Sequence, residues 1–137
     1  MQIYPEFSAF ADTYGAEGQG PSQVVWSTLV SDMETPVSAM LRLAQGQPNS
    51  FLLESVEGGA NRGRYSFIGL RPDIIWRCFG DRAEINRTVP DDPKAFTPCP
   101  VSETSGAIES LRALVGESRI DIPDELPPMA SGLVGFL

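Results

Sequence analysis

The run Phe51-Leu52-Leu53-Glu54-Ser55-Val56, the loop Glu57-Gly58-Gly59-Ala60-Asn61-Arg62-Gly63, and the segment from Arg64 to Leu70 together decide how this chain folds. An apolar run of strand length is followed by a glycine-rich loop and then by a second run containing Tyr65, Phe67 and Ile68. Glycines at such a place supply the positive-φ backbone that turns need, so the pattern predicts two neighbouring strands. The reading extends downstream. Ile74 to Phe79 and Arg82 to Arg87 are strand-like and meet through Gly80-Asp81, a hairpin signal. Together these runs predict an antiparallel sheet.

Helical spacing appears on either side. Thr35 is placed to cap a helix that starts at Pro36, where a missing N–H costs nothing; Val37, Met40, Leu41 and Ala44 form its apolar face, and the helix runs to about Gln45 with Gly46 ending the pattern. Phe7, Phe10, Ala11 and Tyr14 have the same spacing, with Gly15 as a stop, and residues 15–21 read as a loop. Val24 to Val30, β-branched and containing Trp26, reads as a strand. Residues 88–101 carry Pro90, Pro93, Pro98 and Pro100 and read as an exposed connector. A last helix is predicted from about Ser105 to Val115, closed by Gly116 and followed by a loop with Pro123, Pro127 and Pro128. Gly132 to Leu137 is an apolar, strand-like run without a polar tail, and on this ground the chain is expected to be a piece of a longer protein. The expected fold class is α+β: a mainly antiparallel sheet with a few packed helices, an incomplete N-terminal part of a larger two-part fold.

Composition narrows the function classes. The chain has 137 residues, 42% of them hydrophobic, which suits one domain with a real core. Eighteen acidic against ten basic residues give a net charge of −8, the wrong sign for nucleic acid or an anionic membrane surface. Six of the nine arginines lie between positions 62 and 87, but Asp73, Asp81 and Glu84 fall among them, so a solvated sheet face crossed by ion pairs is expected there. There is no histidine, which removes histidine-based nucleophile activation, imidazole metal ligation and pH switching. Cys78 and Cys99 have no metal or redox spacing and read as two reduced thiols. No apolar run approaches membrane-spanning length and no leader-like segment opens the chain, so a soluble, cytoplasmic domain is expected.

Two stretches invite a chemical reading. The glycine loop at 57–64 lacks the GK[ST] ending of a phosphate-binding loop and reads better as turn geometry. Glu54-Ser55, directly after apolar residues and beside that loop, admits two readings. One is the mouth of a pocket for an amino acid, with carboxylate and hydroxyl meeting the ligand's polar head; the other is a plain strand end with Ser55 capping a turn.

Four motifs carry a resemblance. Thr35-Pro36-Val37-Ser38-Ala39, Ser50 to Gly59 with its LLES element, Gly63-Arg64-Tyr65-Ser66-Phe67-Ile68-Gly69, and Gly132 to Leu137 resemble, in register from about Phe7 onward, the N-terminal region of the anthranilate synthase component I family of chorismate-utilising enzymes. The related aminodeoxychorismate synthase component I of the folate pathway shares a weaker version. A free-standing amino-acid-binding module is the alternative of another class. The resemblance implies a lyase that converts chorismate and glutamine-derived ammonia to anthranilate and pyruvate in tryptophan biosynthesis. It implies a glutamine amidotransferase partner and Mg²⁺, with the catalytic and metal residues in a C-terminal part. Residues 1–137 would then be the regulatory part, truncated before the chorismate-binding domain and inactive alone. By motif, Leu53, Glu54, Ser55, Tyr65 and Ser66 are implied to line a cavity for the feedback inhibitor tryptophan, with no catalytic residue among them.

Overall fold

The computed structural model describes residues 1–15, 20–54 and 65–136, and the chain divides into two compact units, residues 31–110 and residues 1–30 with 111–137. The chain is α+β, with four helices and two small antiparallel sheets among the described residues.

In the unit of residues 31–110, the first helix is Pro36–Ala44 (α2; α1, Phe7–Tyr14, belongs to the other unit). Its start is the expected one, with a reciprocal cap: Ser38 N–H donates to Thr35 Oγ1 at 3.1 Å and Thr35 N–H donates to Ser38 Oγ at 2.9 Å. Gln45 closes it in the left-handed region at φ 46°. Of the expected apolar face only Ala44 is buried, while Val37 and Leu41 stay exposed within the described chain. The helix packs on strands β1 (Phe51–Glu54) and β2 (Ser66–Gly69), which pair antiparallel as expected.

The second sheet has the order β3 (Ile75–Phe79), β4 (Arg82–Asn86), β5 (Thr97–Pro98), all antiparallel. Gly80, at φ 63°, makes the tight connection between β3 and β4. Around β4 lie the buried Ala83, Ile85, Val89 and Cys99. Ser102, in helix α3 (Pro100–Ser105), accepts from the Ala83 N–H at 3.1 Å, which ties the helix to the strand. Asn86, fully buried, donates to Asp92 O and accepts from Thr88 N–H, each at 2.8 Å, and so organises the turn beyond β4. The expected connector at 88–101 is therefore shorter than its proline content suggests. Pro98 sits on the last, two-residue strand and Pro100 opens α3, both positions that tolerate a missing N–H.

The other unit holds helix α1 (Phe7–Tyr14), as expected, ended by Gly15 at φ 77°. Tyr4 and Trp26 exchange two backbone hydrogen bonds of 2.8 Å, and their rings stack at 4.7 Å. This isolated bridge replaces the strand expected from Val24 to Val30. The segment has β-forming side chains, but Val25, Leu29 and Val30 are exposed and, among the described residues, only Trp26 finds a backbone partner. Strand propensity without a pairing surface does not make a strand. Residues 133–136 likewise form no strand.

Helix α4 (Ala107–Glu117) starts two residues later than expected and runs through Gly116. Gly106 at φ 84° separates it from α3, and the Ala107 N–H donates to Asp81 Oδ1 at 2.9 Å. At its other end Ser118 N–H still reaches Leu114 O at 2.9 Å, so the glycine is carried in the helix at a modest cost instead of ending it.

Candidate functional site

The β1–β2 ladder sets the geometry of the expected ligand residues. Phe51 pairs with Gly69, Leu52 with Ile68, Leu53 with Phe67, and Glu54 with Ser66. Directly paired residues share a face of the sheet and successive residues alternate. One face therefore carries Glu54, Ser66, Leu52 and Ile68, and the other carries Phe51, Leu53, Phe67 and Gly69. Tyr65 joins the second face, its ring centroid 6.1 Å from that of Phe67. The Phe51 ring lies over Gly69 so closely that a Cβ there would collide with it, which is the reason a glycine stands opposite this phenylalanine.

The ladder thus brings Glu54 and Ser66 together on one side and Leu53 and Tyr65 together on the other. Glu54 and Ser66 are exposed, Leu52 and Ile68 half-buried. Leu53 and Tyr65 are 40% and 49% exposed, so the end of the strand pair that carries them is open within the described residues, while helix α2 packs on the pair. Ser55 and the glycine loop lie outside the described residues. Leu52 and Ile68 were not singled out by the motif match, which picks contiguous letters. The signal that finds them is the two-residue period of a strand, read together with its pairing partner.

The arginine-rich stretch behaves as a sheet surface where it is described. Arg77, opposite Glu84 on β3–β4, pairs with it at 2.6 Å and lies over the Phe96 ring at 3.7 Å from the centroid. Half-exposed, this pair is worth about 1 kcal/mol or less. An open groove of about 670 Å³ borders the same sheet and is lined by Asp81, Arg82, Glu84, Pro98, Ser102 and Glu103. Three of its polar side chains have structural work: Glu84 pairs with Arg77, Asp81 accepts at the start of α4, and Ser102 bonds Ala83. Among the described residues, no three His, Cys, Asp or Glu side chains gather so as to hold a metal ion. Cys78 and Cys99 are free thiols, the second buried.

Comparison with known proteins identifies the kinship. Over 118 residues, 86% of this chain, it is 48% identical to anthranilate synthase component 1 of Cereibacter sphaeroides. This chain is a homologue of part of anthranilate synthase component 1. The protein of that name from Synechocystis is 37% identical over 134 residues, 97% of this chain, a match that takes in the whole β1–β2 region. That from Arthrobacter globiformis is 36% identical over 112 residues. The chain spans 23%, 24% and 19% of the length of these three anthranilate synthase components. No protein-family model matches the chain, and no solved structure matches it. No helix among the described residues is long and apolar enough to cross a membrane.

Proposed function

We propose that this chain is the N-terminal, regulatory part of an anthranilate synthase component 1, and that the β1–β2 region holds the site at which tryptophan inhibits the enzyme. The observation that carries the reading is the identity of 48% over 86% of the chain with a protein of that name, in a chain whose Phe51–Glu54 and Ser66–Gly69 runs form one antiparallel pair. The whole enzyme converts chorismate and ammonia to anthranilate and pyruvate in the cytoplasm. A glutamine amidotransferase, the second component, supplies the ammonia. On this reading Mg²⁺ and chorismate belong to residues outside the chain.

Leu53, Glu54, Ser55, Tyr65 and Ser66 are the residues this reading assigns to the tryptophan site. A carboxylate suits the ligand's ammonium and a hydroxyl its carboxylate, while apolar side chains suit an indole. Inhibition is then a coupling between two sites: tryptophan favours a conformation that binds chorismate less well, and chorismate opposes tryptophan by the same factor. The names of the relatives favour the tryptophan pathway over the folate-pathway enzyme. The test is to assay the full enzyme carrying this chain, with its amidotransferase, for fluorescent anthranilate from chorismate and glutamine. Anthranilate formation that tryptophan suppresses supports the proposal; aminodeoxychorismate as the product, or indifference to tryptophan, defeats it.

A further inference from the structure

The unit of residues 1–30 and 111–137 has a hollow of its own, of about 340 Å³. That is the lower end of the range for small-molecule sites, roughly 300–1,000 Å³. Its wall begins in the last turn of α4, at Val115, and two turns bring the chain back to it. In these the Leu126 N–H donates to Pro123 O at 3.0 Å and the Ala130 N–H donates to Pro127 O at 2.9 Å. Ile120, Ile122 and Leu133 complete an apolar lining. Val115 and Leu133 are 46% and 44% exposed, so apolar surface is left to cover. Gly132, at φ 150°, also lines the hollow, and a Cβ there would meet nothing within 4 Å, so the space reaches the backbone.

Arg119 and Ser131 line the same hollow. Among the described residues the Arg119 guanidinium has no ion-pair or hydrogen-bond partner, so its five donors are not used by the fold. A guanidinium and a hydroxyl set against aliphatic walls suit one anionic head on an apolar body. A purely polar anion would leave the walls uncovered, and a neutral hydrocarbon would leave the guanidinium unpaired. We propose that this hollow binds a small carboxylate with an aromatic or branched apolar body. Arg119 takes the carboxylate in a two-bond fork, Ser131 donates to the same group, and the body lies against Ile120, Ile122 and Leu133. The site shares no residue with the β1–β2 region and does not depend on tryptophan regulation.

Ligand-observed NMR titration of the full enzyme carrying this chain, with benzoate and with benzamide, tests the proposal. The two probes share a ring and differ in charge. Benzoate should bind about tenfold more tightly than benzamide, because only the carboxylate makes charge-assisted bonds. Arg119→Gln, an exposed and well-tolerated change, should abolish that preference, and Arg119→Lys should restore part of it by returning the charge without the fork. Leu133→Ala, or Ile122→Val should Leu133→Ala not fold, should weaken both probes together. Benzoate binding that Arg119→Gln leaves unchanged belongs to another site and overturns the proposal. No benzoate binding at all, the result expected if the rest of the enzyme fills this hollow, overturns it too.

Discussion

The indole N–H of Trp76 donates to Ser110 Oγ at 3.0 Å, and that hydroxyl donates onward to Ala107 O at 2.7 Å. Ser110 is 2% exposed, so water has little access to replace either bond. Ser110→Ala should lower unfolding free energy by about 1–3 kcal/mol, the cost of a buried donor left without an acceptor. Chemical denaturation followed by Trp fluorescence measures it, and a midpoint equal to wild type would refute the role given to this relay.

Asn86 holds the turn at Thr88–Asp92 from inside the unit. Leucine has the same branched shape and a larger volume, with neither donor nor acceptor. Asn86→Leu should therefore cost about 2 kcal/mol or more, because the Thr88 N–H and Asp92 O both lose their side-chain partner. Amide exchange at Thr88 should accelerate in proportion, and an unchanged exchange rate would contradict this account.

The cap of α2 is reciprocal, so its two halves are not independent. Thr35→Ala removes the acceptor for Ser38 N–H and should destabilise by about 1 kcal/mol. Ser38→Ala removes the bond to Thr35 N–H, together with the hydroxyl's bond to Glu34 at 2.6 Å. The double variant should cost less than the two single changes added, since each relies on the other's geometry. Thermal melting of the four proteins completes the cycle, and strict additivity would show the two bonds to be separate.

Gly69 has no room for a Cβ beneath the Phe51 ring. Gly69→Ala should force the ring aside or part the strands, at about 1–3 kcal/mol. In the full enzyme it should also weaken tryptophan inhibition although Gly69 lies away from Glu54 in the register. Truncating the ring in the double variant Phe51→Leu, Gly69→Ala should recover part of both losses. No recovery would mean that the collision is not what matters.

Ser55 follows the last described residue of β1 in sequence. Ser55→Ala or Ser55→Phe in the full enzyme should raise the tryptophan concentration needed for half-inhibition, with a smaller effect on uninhibited turnover. Inhibition curves that superimpose on wild type would remove Ser55 from the site.

Where local chemistry sufficed, the sequence was legible. Thr35-Pro36 announces a helix start, Gly80-Asp81 a hairpin, and the two runs around the glycine loop a strand pair; each is observed because its signal is satisfied by near neighbours. Val24–Val30 and Gly132–Leu137 read as strands and are not, over their described residues, since a strand also needs a distant edge to pair with. The motif likewise pointed to the β1–β2 region as the place to look. Only pairing could say that Glu54 shares a face with Ser66 and Leu52, away from Leu53 and Tyr65, because a one-residue step along a strand crosses the sheet and the register between two strands is set by both at once.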